Sequence, residues 1–173
     1  MEKRYRNDFF ETVYLLSEKF RGVNWMIING ASLPFYGVCS DVNDIDILTD
    51  RKGAGKISAM LKDYCVREIE FGVEGIFKSY YGIFEFCGFK VEIIANFEVF
   101  VDNEWNKELY SLERKTVVFK QGWGVPIVSL DDLFLWYVKV ARKKDIEKIN
   151  LIKQRCLPET DAPCPGSEEH TSE

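Results

Sequence analysis

The sequence predicts an α+β protein, a mixed β-sheet flanked by helices and closed by further helices towards the C-terminus. Three observations carry that expectation. Phe9, Val13, Leu16 and Phe20 recur at the spacing of one helix face. Between residues 25 and 95, short apolar runs punctuated by glycine read as strands around one helical stretch. From Ser129 onward, apolar residues return to helical spacing in two consecutive segments.

The first helix is expected over Asp8 to Phe20 and is stopped by Arg21-Gly22. Trp25 to Ile28 is apolar on both parities, so it reads as a strand buried on both faces, closed by Asn29-Gly30. Residues 31 to 36 form a short helix at most, because Pro34 removes a backbone donor. Asp44 to Thr49 is the next strand, with Ile45 and Ile47 on one side and Asp44, Asp46 and Leu48 on the other. A helix is predicted from about Ala54 to Tyr64, with Ile57, Met60, Leu61 and Tyr64 on its apolar stripe.

Four β-rich runs follow, at 66 to 71, 76 to 81, 83 to 87 and 89 to 95, with Gly82 and Gly88 as tight connections of a meander. In the pair Tyr80-Tyr81, one ring has to face away from the core. Residues 96 to 124 are weakly patterned apart from a strand near Thr116 to Lys120. Ser129 reads as the N-cap of a helix whose first turn carries Asp131 and Asp132. A second helix from about Lys144 to Arg155 completes the pair. Residues 1 to 157 are expected to form one domain, and 158 to 173, rich in Pro, Gly, Ser and Glu, a disordered tail.

Composition excludes several function classes. With 23 basic and 28 acidic residues, a net charge of -5, there is no domain-wide positive field to draw DNA or anionic lipid. No uncharged apolar run approaches the roughly 20 residues that cross a bilayer, so a cytoplasmic location is expected. The five cysteines lack a CxxC pair and are expected to be reduced and mostly buried. The single histidine, His170, lies four positions from the end, which removes histidine from acid-base catalysis and metal ligation. Carboxylates, lysine, tyrosine and cysteine remain.

The candidate chemistry lies in Asp44-Ile45-Asp46. Alternation on a strand puts both carboxylates on one face, close enough to share a hard cation, and their mutual repulsion favours one. Mg²⁺ (or Mn²⁺) fits, because it takes oxygen ligands from one or two carboxylates together with phosphate oxygens. A calcium loop does not fit, since Ile45 would occupy a ligand position and the loop glycine is missing. Gly30-Ala31-Ser32 ends a buried strand where backbone N–H groups can cradle a phosphate. Glu92 is the one acid inside the apolar strand Val91 to Ile94, where a lone carboxylate is unfavourable.

Together these residues resemble the nucleotidyltransferase-fold superfamily, which includes DNA polymerase β and the aminoglycoside nucleotidyltransferases. The matching features are the apolar strand Trp25 to Ile28, Gly30-Ala31, then Asp44-Ile45-Asp46-Ile47, and finally Val91-Glu92-Ile93; the likeness spans about residues 8 to 155. Two positions depart from the pattern: Ala31 stands where serine or glycine is usual, and Glu92 where aspartate is commoner.

The resemblance implies a nucleotidyltransferase-like mixed sheet and an enzyme that moves a nucleoside monophosphate from a nucleoside triphosphate to a hydroxyl of an acceptor left open: small molecule, protein or RNA. It implies Asp44, Asp46 and Glu92 as catalytic and metal-binding residues, and Gly30, Ala31, Ser32 and Lys139 as nucleotide-binding residues. Lys139 belongs to a basic cluster with Arg142, Lys143 and Lys144 that could meet a phosphate tail or an RNA end, but that reads by itself as a solvated helix face balancing the helix dipole. Lys144-Asp145 resembles a pair in the family's C-terminal helices in which Asp145 orients a basic side chain. The alternatives are an inactive nucleotide-binding or protein-interaction module of the same fold, and a toxin acting on tRNA or protein.

Overall fold

The computed structural model describes residues 2–38, 40–120 and 122–156. The expected tail at 158 to 173, with His170 and Cys164, and Cys39 lie outside the described residues. In chain order the elements are α1 (Glu2–Lys19), β1 (Trp25–Ile28), a 3-10 segment (Asn29–Tyr36), β2 (Asp44–Thr49), α2 (Arg51–Met60) with a short 3-10 turn (Lys62–Tyr64), β3 (Cys65–Glu74), β4 (Phe77–Phe86), β5 (Phe89–Val101), β6 (Glu104–Asn106), β7 (Lys115–Lys120), β8 (Trp123–Val128), α3 (Leu130–Val140) and α4 (Lys143–Cys156). The α+β expectation holds.

The strands form one mixed sheet in the order β3-β4-β5-β2-β1-β8-β7, with β6 paired to β5. Its centre is the part that matters for the site: β1 runs antiparallel to β2, while β2 pairs in parallel with β5 and β1 with β8. Both faces of that centre are covered, which is why β1 is apolar on both parities and buried throughout. Phe9, Val13 and Leu16 of α1 and Ile57 of α2 pack on Ile27, Ile45, Ile47, Val91 and Ile93. On the other face Leu133, Trp136 and Tyr137 of α3 and Ile152 of α4 pack on Met26, Ile28, Leu48 and Ile94. Each large apolar side chain so buried contributes roughly 1.5–3 kcal/mol.

Helix ends follow their capping residues. Asp50 caps α2 by accepting the Gly53 N–H at 2.6 Å, so the helix starts three residues before the predicted Ala54. Its sequence Arg51-Lys52-Gly53-Ala54-Gly55 hides that start, because two glycines weaken the helical signal. Ser129 caps α3 as expected, accepting the Asp132 N–H at 3.1 Å. The 3-10 segment contains Pro34, which the tighter helix accommodates.

The meander differs from its prediction. Gly88 does turn the chain: Cys87 and Gly88 have φ of 52° and 79° and join the paired Phe86 and Phe89, a two-residue hairpin. Gly82, by contrast, lies inside β4, which is continuous from Phe77 to Phe86. A Cβ there would meet Ile69 Cγ1 at 2.6 Å, so this glycine admits the close approach of β3 where the pairing shifts register between Arg67 and Glu70. The strand β8 escapes the sequence pattern because Gly124 and Pro126 interrupt it, yet it pairs with β7 along its length. Cys65, Cys87 and Cys156 are free thiols but exposed rather than buried, since they fall at a strand start, a hairpin turn and a helix end. Among the described residues no helix is long and apolar enough to cross a membrane.

Candidate active site

The parallel register of β2 and β5 sets Asp46 directly beside Glu92, and the antiparallel register of β1 and β2 sets it beside Ile28, whose successors are Asn29 and Gly30. Paired residues of neighbouring strands share a face, so the two carboxylates stand together, on the side of the sheet that carries Leu48 and Ile94. There the second core ends and opens into a cleft of about 910 Å³. Asp44, one pleat earlier, is exposed at the mouth of the same cleft.

The pair is supported unequally. Asp46 Oδ2 accepts from Asn29 Nδ2 at 2.7 Å, whereas Asp46 Oδ1 is buried and receives no donor. Glu92 Oε1 accepts from the Tyr81 hydroxyl and lies 3.0 Å from Lys90 Nζ. Burial, followed by the adjacent Glu92, pushes the Asp46 carboxyl well above the usual range. Glu92 is also partly desolvated, but hydrogen bonds with Asp46, Tyr81 and Lys90 draw it down to about 2. Burial and Glu92 raise the Tyr81 hydroxyl, which therefore stays a donor. The two acids can coexist by sharing a proton or by sharing a cation.

The opposite wall is basic and comes from the corner between α3 and α4, where Ala141 adopts φ 48°. Asp145, fully buried, grips Arg142 by Nε at 2.8 Å and Nη2 at 3.1 Å, and its Oδ2 also accepts the Arg142 backbone N–H at 3.1 Å. This fork presents the guanidinium to the cleft with its orientation set. Lys144 and Lys148 line the same wall. Lys148 Nζ lies against Gly30, where a Cβ would stand 3.2 Å from it. Burial lowers its pKa, opposed by Asp145, and among the described residues no carboxylate forms an ion pair with it.

Of the residues predicted from sequence, Asp44, Asp46, Glu92 and Gly30 meet in this cleft. The others do not line it. Ala31 is packed in the first core, and the buried Ser32 turns its hydroxyl onto Asn29 O at 2.6 Å. Lys139 extends from α3 to Asp102 in the turn after β5, 2.9 Å away. The expectation that Asp145 orients a basic side chain is met by Arg142, which is half-buried, while Lys144 is exposed at the edge of the cleft. Asn29, Tyr81 and Lys148 escaped sequence reading. Lys148 had a signal, since it shares a helix face with Lys144 and with Asp145, a carboxylate that has to be paired if buried.

A divalent cation fits this arrangement. Asp46 Oδ1 is a buried oxygen without a donor, and the adjoining groups are hard carboxylate oxygens that line the same cleft. Among the described residues no three acid, cysteine or histidine side chains are already closed into a cage. Cation sites of the magnesium type commonly draw several ligands from phosphate and water instead.

No protein-family profile matches the chain, and no curated protein matches it by sequence. Solved structures do. A candidate nucleotidyltransferase from Thermotoga maritima superposes with a TM-score of 0.68 at 24% identity, over 87% of this chain and 92% of that one. The enzyme ANT(2'')-Ia in complex with adenylyl-2''-tobramycin gives 0.55 at 12% identity, over 86% and 88% of the two chains. The lincosamide antibiotic adenylyltransferase LnuA, lincomycin-bound, gives 0.56 at 15%, over 86% and 96%. The protein therefore has the nucleotidyltransferase fold.

Proposed function

We propose that the protein is a metal-dependent nucleotidyltransferase that moves a nucleoside monophosphate from a triphosphate to a hydroxyl of a small-molecule acceptor. The observation that carries this reading is the Asp46–Glu92 pair facing Arg142 and Lys148 across the Gly30 turn. The basic wall suits a triphosphate tail: Arg142 offers an oriented fork, and Lys148 a partly desolvated ammonium with no ion-pair partner among the described residues. Asp44, Asp46 and Glu92 would hold Mg²⁺ or Mn²⁺, which supplies positive charge to the phosphate oxygens.

In the transfer, the acceptor oxygen bonds to the α-phosphorus, the bond from that phosphorus to the α–β bridging oxygen breaks, and pyrophosphate leaves. The hydroxyl proton passes to Glu92, which is ionised at neutral pH and held in place by Tyr81 and Lys90. The wall of β3 supplies Glu70 and Glu74 to the cleft, together with Asp41 from the loop before β2, and favours an acceptor that carries positive charge. Structural neighbours in complex with adenylyl-2''-tobramycin and with lincomycin support a small molecule in this role.

The test is direct. Protein, Mg²⁺ and each of the four nucleoside triphosphates are screened for calorimetric binding and, with a panel of amino-sugar acceptors, for pyrophosphate release. Binding of at least one Mg-triphosphate is expected; absence of any binding at millimolar nucleotide sinks the proposal.

A further inference from the structure

Asn29 occupies an unusual position for what it does. It follows β1 directly and has φ 57°, a left-handed conformation that costs a non-glycine residue roughly 1 kcal/mol and glycine almost nothing. Asparagine is one of the few other residues that tolerate this conformation, and here its side chain is engaged rather than free. Its amide is held at both ends: Tyr110 Oη donates to Asn29 Oδ1 at 2.7 Å, and Asn29 Nδ2 donates to Asp46 Oδ2 at 2.7 Å.

We infer that Asn29, oriented by Tyr110, is a positioning residue that fixes the Asp46 carboxylate so that Oδ1 faces the divalent cation. An amide has one acceptor end and one donor end, so a hydroxyl that donates to Oδ1 compels Nδ2 to face Asp46. Tyr110 is itself immobilised, buried and stacked on Trp136 with ring centroids 4.6 Å apart and planes 20° apart. Burial raises its pKa well above the usual value, so the hydroxyl remains a donor. The chain Tyr110–Asn29–Asp46 therefore runs from the second core to the site.

The character of this support matters. Glu92 is held by a cation, Lys90, as well as by Tyr81, whereas the Asn29 donor to Asp46 is a neutral amide. A neutral donor fixes geometry without neutralising the carboxylate that a metal would meet once it displaces the proton. Its unused oxygen is the buried Oδ1. The inference rests on the nucleotidyltransferase reading, since it presumes that a cation binds there.

The experiment measures Mn²⁺ binding to nucleotide-free protein by calorimetry and by electron paramagnetic resonance, with steady-state kinetics beside it. Asn29→Gly suits the backbone and removes only the amide; Tyr110→Phe removes only the hydroxyl that orients it. Asn29→Gly should weaken Mn²⁺ about 10–100-fold and Tyr110→Phe by a smaller factor, the range expected for loss of a partner that orients a metal ligand. Both should lower kcat more than they raise KM for the triphosphate, and excess Mn²⁺ should restore much of the lost rate. Should Asn29→Gly fail to fold, Tyr110→Phe carries the test. Wild-type Mn²⁺ affinity in both variants, alongside its loss in Asp46→Asn, overturns the inference and leaves the nucleotidyltransferase reading standing. No Mn²⁺ binding by the unsubstituted protein, with or without nucleotide, removes both.

Discussion

The two walls of the cleft are built by different means. On the strand side, Asp44, Asp46 and Glu92 stand where they do because β2 and β5 pair in register, so backbone hydrogen bonds set their spacing. On the helix side, Arg142, Lys144 and Lys148 come from one corner and one helix whose angle to the sheet is set by packing of Leu133, Trp136, Tyr137 and Ile152. The difference is also electrostatic. The acidic wall is internally strained, with one carboxyl pushed up and its neighbour drawn down, while Arg142 on the basic wall is satisfied by a buried Asp145. A wall of repelling acids gains from a ligand; a wall of oriented donors waits for one.

The largest expected effect comes from breaking the acidic wall. Asp46→Asn should reduce nucleotidyl transfer by more than about 100-fold, by analogy with the loss of a preorganised electrostatic group. The same change should stabilise the metal-free fold, because an amide beside Glu92 ends the repulsion. A gain of roughly 1 kcal/mol corresponds to a rise in Tm of about 2–4 °C, read by calorimetry with chelator present. Lower activity with lower Tm would mean that Asp46 is simply structural.

Breaking the basic wall should cost stability as well as binding. Asp145→Ala removes the partner of Arg142 at a fully buried position and is expected to cost about 3 kcal/mol, measured by urea unfolding. Lys148→Met, in contrast, removes a charge that is a burden to the free protein. It should leave Tm unchanged or raised while increasing KM for the triphosphate roughly tenfold.

The pH dependence sharpens the contrast. Asp46 has a raised pKa, so it retains its proton at pH values where an ordinary carboxylate has lost it, and a cation has to displace that proton. Mn²⁺ affinity should therefore rise with pH up to and through that raised pKa, with proton release seen by titration in two buffers of different ionisation enthalpy. Glu92 works in the other sense: held down to about 2, it contributes stability at neutral pH that is lost as pH falls from about 4.5 towards 2. The smallest effect is expected at the mouth, where Glu70→Gln with Glu74→Gln should raise KM for a cationic acceptor by a few-fold and leave triphosphate binding unaltered.

How much of this was legible beforehand differs between the walls for a physical reason. Asp44 and Asp46 announce themselves because a strand has a period of two, and Glu92 because one acid interrupts an apolar run. Lys139 does not line the cleft although it lies three residues before Arg142, because Ala141 at φ 48° ends α3 between them and of the two only Arg142 turns inward. Nothing local distinguishes a lysine on the inner side of such a corner from one on the outer side. Gly82 misled in a related way, since its need for space arises from β3, a neighbour brought in by pairing.

By itself the sequence determined the periodicities, and with them the helices at both ends, the buried central strands, and the carboxylates that face one side. These depend on interactions between residues close in the chain, or on the alternation of one strand. Tertiary structure alone decided that Asp46 is pushed up while Glu92 is drawn down, which cations look into the cleft, and that Asn29 is clasped between Tyr110 and Asp46 across 81 and 17 residues of chain. Those properties depend on burial and on partners distant in sequence, and desolvation is set only when the whole sheet and its two helical layers have closed around the groups it acts on.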